Sequence, residues 1–153
     1  MTPSGQVPAT EVVKEDPGPS LSVLITYHDE GKMLTECIDS LLAGAIRPSE
    51  IVVYDDHSSR AANSFVPQGF PVRVVRGNSN VGPSRARNHL LSTATSDYVH
   101  FHDADDWFAP GWCETIRQHL EKARPDLVVT EVASIDAEGV EAMTVLNLTA
   151  VTP

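Results

Sequence analysis

The stretch DYVHFHDADD, residues 97–106, decides the fold, because an apolar run leads here directly into a group of carboxylates. Such a run predicts a buried strand that ends in an acidic loop. Four more strands are predicted, at residues 21–26 (LSVLIT), 50–56 (EIVVYDD), 71–76 (PVRVVR) and 126–135 (DLVVTEVASI). Helices are predicted between the strands, at residues 32–45, 83–94 and 111–123. Alternating strands and helices predict an α/β fold with a mostly parallel open sheet flanked by helices.

In the first predicted helix, Met33, Cys37, Leu41 and Ala45 recur at four-residue spacing and give a wide apolar face. Cys37 is therefore expected to be a small core residue. Pro83 opens the second helix at a position that tolerates proline.

Ligands of parallel open sheets bind beyond the carboxyl ends of the strands. This rule selects the polar residues that follow the first four strands, namely Tyr27 and His28, Asp55 and Asp56, residues 77–80, and residues 103–106. Asp103 and Asp105 are one residue apart at a strand end, so their carboxylates can point to the same side and hold a divalent cation by oxygen ligands. The alternative is a solvated acidic turn or a helix cap, with Asp106 placed before Trp107.

Composition restricts the classes of partner. The chain of 153 residues has a formal charge of −10, which argues against broad binding to nucleic acid or to an anionic membrane. It contains neither an apolar run of about 20 residues nor a signal peptide, so we expect no membrane span and a cytoplasmic protein. Two cysteines without zinc spacing make no disulfide framework.

Three segments are predicted. Residues 1–19 are rich in Pro, Gly and charge and are predicted to be a disordered leader. Residues 20–135 form the α/β domain, and residues 136–153 are a weakly patterned tail that could make a hairpin.

Four linked stretches of this chain resemble the family 2 glycosyltransferases, which have the Rossmann-like GT-A fold. They are LSVLITYHDEGKMLTECIDSLL, EIVVYDDHSS, GNSNVGPSRARNHLL and DYVHFHDADDWFAPG, and they occur in family order between residues 20 and 133. The resemblance implies the nucleotide-sugar-binding half of an inverting enzyme that depends on Mn²⁺ or Mg²⁺. The implied donor is a nucleotide-sugar, most often a UDP-sugar, and the implied acceptor is a glycan, a lipid or a small molecule.

The resemblance also assigns roles to residues. Thr26 and Tyr27 match the entrance of the nucleotide pocket, where the aromatic ring can stack on the base. Asp56 matches the carboxylate that accepts a hydrogen bond from the base, and Asp55 is either its partner or a turn-capping residue. Asp103 matches the acid near the ribose and Asp105 the principal metal ligand.

Arg85, Arg87 and Asn88 match the family's SxARN stretch. Guanidinium groups at the start of a helix suit a diphosphate. Arg85 and Arg87 are two residues apart on a helix and point in different directions, so one of them is expected to meet the nucleotide. His102 departs from the family, which more often has an apolar residue there. With His100 it forms either a metal site or a hydrogen-bonded, partly buried pair.

An inverting transferase needs a carboxylate base, which lies well beyond the DxD in the family. None of the acids after Asp105 has a recognisable base motif, so the catalytic base stays unassigned. We therefore expect either a transferase or a truncated, inactive nucleotide-sugar-binding module. A receiver domain, an aspartate-based phosphatase and a dinucleotide-binding oxidoreductase are disfavoured, because their motifs are misplaced or missing.

Overall fold

The computed structural model describes residues 18–130, 132–135, 141–145 and 149–151. Residues 1–17, most of the predicted leader, lie outside this part of the chain. Along the chain the elements are β1 (Leu21–Tyr27), α1 (Lys32–Leu42), β2 (Glu50–Asp55), β3 (Val72–Arg76), α2 (Pro83–Thr93), β4 (Tyr98–Asp103), α3 (Trp112–Ala123), β5 (Leu127–Val129), β6 (Val132–Ile135), β7 (Glu141–Val145) and β8 (Thr149–Val151).

Strands β1 to β4 form one parallel sheet in the order β3-β2-β1-β4. The register pairs Tyr27 with Asp55 and Thr26 with Asp103, so three strands end level with one another. This confirms the predicted α/β sheet and its acidic carboxyl edge. The topology matters for function because it brings residues 77 positions apart in sequence to one place.

The two faces of the sheet carry separate apolar cores. On one face, the residues Val23, Ile25 and Tyr27 of β1 and Ile51 and Val53 of β2 pack against α1. On the other face, Leu24, Val52 and Tyr54 pack against α2. This alternation follows from the two-residue period of a strand. Both faces of the central strands are therefore covered, as expected of parallel sheets.

Helix α1 is shorter than predicted and buries a narrower face. It ends at Leu42, and its buried residues are Leu34, Cys37, Ile38 and Leu41. These positions form a complete i, i+3, i+4, i+7 stripe. Met33 lies beside that stripe and is 50% exposed, so its predicted core position is wrong. The core position of Cys37 is confirmed.

The predicted fifth parallel strand is also wrong. Residues 127–129 and 132–135 are two short strands, and they pair antiparallel with β8 and β7, respectively. A strand buried on both faces needs an unbroken apolar run, and Thr130-Glu131 interrupts this one. Leu127 and Val129 are about half exposed, as expected outside a two-sided core. Of the predicted tail, the described residues 141–145 form β7, which pairs antiparallel with β6, and 149–151 form β8; its other residues lie outside the described part of the chain.

No helix within these ranges has both the length and the apolar character that crossing a bilayer requires.

Candidate functional site

A polar pocket of about 390 Å³ lies at the carboxyl edge of the parallel sheet. Its size falls within the range usual for small-molecule sites. It is lined by Thr26, Tyr27, His28, Glu30, Asp56, Asn80, Gly82, Pro83, Ala86, Arg87, Asp103 and Asp105. All the residues selected from the sequence for the nucleotide or the metal therefore meet here, except Arg85. Arg85 is exposed and does not line the pocket, whereas Arg87 does.

Asp103 and Arg87 form an ion pair inside this pocket. Nη2 of Arg87 donates to both carboxylate oxygens, at 2.7 and 2.9 Å, and the Thr26 hydroxyl donates to one of them at 2.7 Å. Partial burial of the Asp103 carboxyl opposes ionisation, but the hydrogen bonds from Thr26 and Arg87 outweigh it, so the pKa of Asp103 is lowered. Asp103 engages only Nη2, and the Arg87 side chain is 39% exposed. Since a guanidinium has five donors, Arg87 retains capacity to bind an anion.

Asp105 lies at the turn that follows β4 and is exposed. Within the described part of the chain, its carboxylate makes no hydrogen bond or ion pair, in contrast to Asp103. The preceding residue, Ala104, is 1% exposed, and its N–H donates to Thr26 O at 3.1 Å. The backbone beside Asp105 is thus anchored while its carboxylate remains available.

The pocket carboxylates could hold a small hard cation only if a substrate and water supply the remaining ligands. The described residues contain no cluster of three or more His, Cys, Asp or Glu side chains able to hold a metal. Mg²⁺, however, is commonly bound by one or two carboxylates, with substrate phosphate oxygens and water completing its shell. Asp105, together with Asp103, matches that minimal arrangement.

Asp56 joins two of the segments that line the pocket. Its two carboxylate oxygens accept the N–H groups of Val81 and Gly82, at 2.7 and 2.8 Å. This ties the end of β2 to the loop before α2. A nucleotide base that donates a hydrogen bond to Asp56 must therefore use an oxygen that already accepts one bond. Each carboxylate oxygen has a second lone pair, so a further bond is possible.

The predicted stacking role of the Tyr27 ring does not fit this structure. Tyr27 is 1% exposed, its ring lies 6.2 Å from that of Phe65, and its hydroxyl donates to Arg60 O at 3.0 Å. Strand alternation places Tyr27 on the same sheet face as Val23 and Ile25, inside the core. Its contribution to the pocket lining is therefore not an exposed aromatic face.

His28 and Asn80 also line the pocket, although neither was assigned a binding role from the sequence. Nδ1 of His28 lies 2.9 Å from Asp56 O, and Asn80 Nδ2 lies 3.1 Å from His28 Nε2. Both residues follow strands, so the strand-end rule had already located them. What the sequence did not reveal is that they contact each other across 52 residues.

Asp55 is the turn-capping residue of its pair. It is fully buried and accepts hydrogen bonds from Ser58 N, Ala62 N and Arg76 Nη1, at 2.8, 3.0 and 2.8 Å. Burial raises the pKa of Asp55, but these hydrogen bonds and the Arg76 charge outweigh it, and the pKa is lowered. Asp55 therefore supports the pocket without lining it.

His100 and His102 form a hydrogen-bonded pair, the second of the two predicted alternatives. Nε2 of His100 lies 3.3 Å from Nδ1 of His102, and Nε2 of His102 lies 3.3 Å from Asp106 O. Burial lowers the pKa of both rings, that of His100 to about 4. Trp112 packs against His100 as a core anchor, with ring centroids 4.6 Å apart, whereas Trp107 is 55% exposed.

A second depression, of about 470 Å³, lies at the opposite edge of the sheet. It is larger, but the Glu50 carboxylate beneath it already accepts bonds from Ser22 and Arg73, at 2.8 and 2.7 Å. The Arg73 guanidinium also donates to Thr93 O. The charged side chains of this depression, Glu50 and Arg73, are thus already paired with each other. We therefore place the candidate functional site in the smaller pocket, where the Asp105 carboxylate has no partner among the described residues.

Comparison with known proteins identifies the family of the chain. The model of the family described as glycosyl transferase family 2 matches residues 22–150. The chain is 28% identical over 120 residues to glycosyltransferase GlyG of Streptococcus pneumoniae, covering 76% of this chain and 40% of GlyG. It is 30% identical over 135 residues to the putative glycosyltransferase EpsE of Bacillus subtilis, covering 84% of this chain and 49% of EpsE. The chain thus spans less than half the length of these relatives.

A solved structure shares the fold. TarS of S. aureus, residues 1–349, superposes with a TM-score of 0.60 at 24% identity, covering 70% of this chain and 34% of that one. A structure of the same TarS fragment in complex with UDP-GlcNAc superposes with the same TM-score.

Proposed function

The chain belongs to glycosyl transferase family 2, and from that premise we propose that it transfers a sugar from a nucleoside diphosphate donor to an acceptor hydroxyl, with inversion. The observation that carries this proposal is the pocket that combines Arg87, the bonded Asp103 and the unbonded Asp105 at one sheet edge. UDP is the proposed nucleotide, because a structural neighbour was solved with UDP-GlcNAc. The acceptor is a glycan, a lipid or a small molecule.

We assign binding of the diphosphate to Arg87 and the adjacent start of α2. Pro83 is the first residue of α2, so this end of the helix, with its exposed N–H groups and positive dipole, adjoins the pocket. Arg87 adds a formal positive charge to offset the carboxylates around it. Asp103, oriented by Thr26 and Arg87, is the proposed contact of the ribose, and Asp56 that of the base.

Mn²⁺ or Mg²⁺ is the proposed cofactor, with Asp105 as its principal ligand and Asp103 as the second. Bound there, the cation would neutralise phosphate charge and stabilise the departing nucleoside diphosphate as a Lewis acid. Asp105 suits this role because, among the described residues, it is the pocket carboxylate that has no hydrogen-bond partner. Asp56, Asp103 and Glu30 all accept hydrogen bonds from within the chain.

The presence of one free carboxylate among the described pocket residues also favours a second candidate function, nucleotide-sugar binding without transfer. Transfer with inversion needs a free carboxylate to take the proton of the acceptor hydroxyl. Among the described residues that line the pocket, Asp105 is the free carboxylate, and it is assigned to the cation. Measuring both binding and turnover separates the two candidates.

The experiment is thermal unfolding with UDP, with Mn²⁺ and with both, in the wild type, in Asp105→Asn and in Asp106→Asn as the matched control. Asp106 is the exposed neighbour of Asp105 but does not line the pocket. A ligand at about 100 times its dissociation constant adds roughly 2.7 kcal/mol, or about 5–10 °C here. We expect this shift only with UDP and Mn²⁺ together, lost in Asp105→Asn and kept in Asp106→Asn.

A wild type that does not respond to any nucleoside diphosphate would contradict the proposal. If UDP binds, release of UDP from UDP-sugars in the presence of candidate acceptors decides between transfer and binding alone.

A further inference from the structure

We propose that His102 is a positioning residue, whose imidazole holds the acidic loop, residues 103–106, so that the Asp105 carboxylate is presented to the pocket. The consequence for ligand binding rests on the proposed function, whereas the effect on the loop can be measured without any ligand. The proposal begins from hydrogen bonds that reach the loop from β4.

The His102 ring is bonded at both of its nitrogens. Nε2 lies 3.3 Å from the backbone oxygen of Asp106, and Nδ1 lies 3.3 Å from Nε2 of His100. A carbonyl oxygen can only accept, so Nε2 of His102 carries the proton. In a neutral ring Nδ1 is then an acceptor, and it must receive the Nε2 proton of His100. His100 therefore donates to His102, and His102 donates to the backbone oxygen of Asp106 in the loop.

Packing fixes the plane of this ring. The His102 and Phe108 rings are stacked, with centroids 3.8 Å apart and planes at 20°. Phe108 is 6% exposed, and its N–H donates to the Ser40 hydroxyl at 2.9 Å. His102 thus stacks on a side chain that is itself anchored to α1, and its Nε2 cannot swing away from Asp106 without losing the stack.

The two sides of Asp105 are held by different contacts. Before it, Ala104 N donates to Thr26 O at 3.1 Å. After it, Asp106 N donates to Asp103 O at 3.2 Å, and Asp106 O accepts the bond from His102. As far as the described residues show, the Asp105 carboxylate is thus unbonded between two neighbours whose backbones are held. Removing the His102 bond leaves the far side of the turn held only by the bond from Asp106 N, while the near side stays in place.

Packing alone does not require histidine at this position. A phenylalanine would stack on Phe108 and fill similar space, but it would offer no donor to the Asp106 carbonyl. Groups that orient metal ligands without touching the metal typically change metal affinity by 10- to 100-fold when they are removed. We expect the same of the His102 donor, because a ligand carboxylate on a loosened turn must be ordered each time it binds.

The test compares His102→Phe, which keeps the ring, with His102→Gln, whose amide nitrogen can replace the Nε2 donor. His119→Phe is the matched control, since His119 also bonds a backbone carbonyl (Thr115 O, 2.9 Å) but lies on α3, outside the pocket. Two quantities are measured in each protein: the exchange rate of the loop amides, Asp106 N–H above all, and the affinity for UDP with and without Mn²⁺.

We expect the loop amides of His102→Phe to exchange faster than those of the wild type. We expect this variant to bind UDP with Mn²⁺ about tenfold more weakly, with UDP binding in the absence of Mn²⁺ unchanged. His102→Gln should recover most of both losses, and His119→Phe should match the wild type. Wild-type exchange and affinity in His102→Phe would overturn the proposal, as would a His102→Gln variant as impaired as His102→Phe.

Failure of the proposed function gives a different result. If the wild type binds no UDP at all, the donor site is refuted, and the exchange rates of the unliganded proteins alone decide whether His102 holds the loop.

Discussion

Replacing Asp55 by asparagine tests how much the hydrogen bonds to this buried carboxylate stabilise the chain next to the pocket. The carboxylate is fully buried and accepts three hydrogen bonds, one at Oδ1 from Ser58 N and two at Oδ2 from Ala62 N and Arg76 Nη1. Asparagine retains one oxygen, which would keep the two bonds at Oδ2. Its amide nitrogen then faces the Ser58 N–H, so that a buried donor loses its acceptor.

The cost can be worked out from this geometry. A buried donor left without a partner costs about 1–3 kcal/mol, and hydrogen bonds weaken when their acceptor loses its charge. The Arg76 side chain is 42% exposed, so the ion-pair contribution is discounted for solvent screening. The sum is a destabilisation of about 2–3 kcal/mol, or a fall in Tm of about 4–12 °C.

The assay is urea unfolding followed by tryptophan fluorescence at pH 7, with Asp39→Asn, an exposed position on α1, as the control. The pH dependence supplies a second check. Because the folded pKa of Asp55 is lowered, its contribution is fully present above the unfolded pKa of about 3.9 and is lost as pH falls through the folded value. The difference in free energy of unfolding between the wild type and Asp55→Asn should therefore become smaller below about pH 4. Equal stability of Asp55→Asn and Asp39→Asn at pH 7 would refute this reasoning.

Three further predictions concern individual side chains. Gly44→Ala should destabilise the chain by about 0.5–1.5 kcal/mol in the same unfolding assay. The added Cβ would lie 2.6 Å from Glu114 Oε1, and the flexible Glu114 side chain can move away only by giving up the hydrogen bond that it accepts from Ile46 N. An unchanged stability would contradict this contact. Cys37 should resist a thiol reagent in the native protein and react on unfolding, because burial raises its pKa to about 12; rapid native labelling at Cys37, identified by peptide mapping, would count against that burial. Arg87→Met should weaken UDP binding by about tenfold or more, the loss of a charge-assisted hydrogen bond of roughly 1.5–3 kcal/mol, and titration calorimetry against the exposed control Arg85→Met checks it. An equal loss of UDP affinity in Arg87→Met and Arg85→Met would contradict the assignment of the diphosphate to Arg87.

The sheet and its polar carboxyl edge could be predicted from the sequence because both depend on local patterns. Apolar runs located β1 to β4, and the level ends of parallel strands brought Thr26, Asp56 and Asp103 together. Pro83 marked the start of α2 as predicted. These features need no knowledge of which distant side chains meet.

What the sequence did not predict depends on contacts between distant residues or on the direction of a side chain. Asp56 uses both oxygens on a loop 25 and 26 residues away, and its sequence neighbours give no sign of this. The burial of Tyr27 could have been found, since strand parity places it with Val23 and Ile25. The choice between Arg85 and Arg87 needed the structure, because only the packing of α2 on the sheet determines which guanidinium faces the pocket.

The central claim is that a nucleoside diphosphate binds at the carboxyl edge of the parallel sheet. Hydrogen–deuterium exchange of the wild type with and without UDP and Mn²⁺ tests it most directly. We predict protection in three segments that line the pocket, residues 26–30, 80–87 and 103–105, with no change around Ser49 and Arg73 at the opposite edge. Protection confined to that opposite edge, or no protection at saturating UDP and Mn²⁺, would contradict the account.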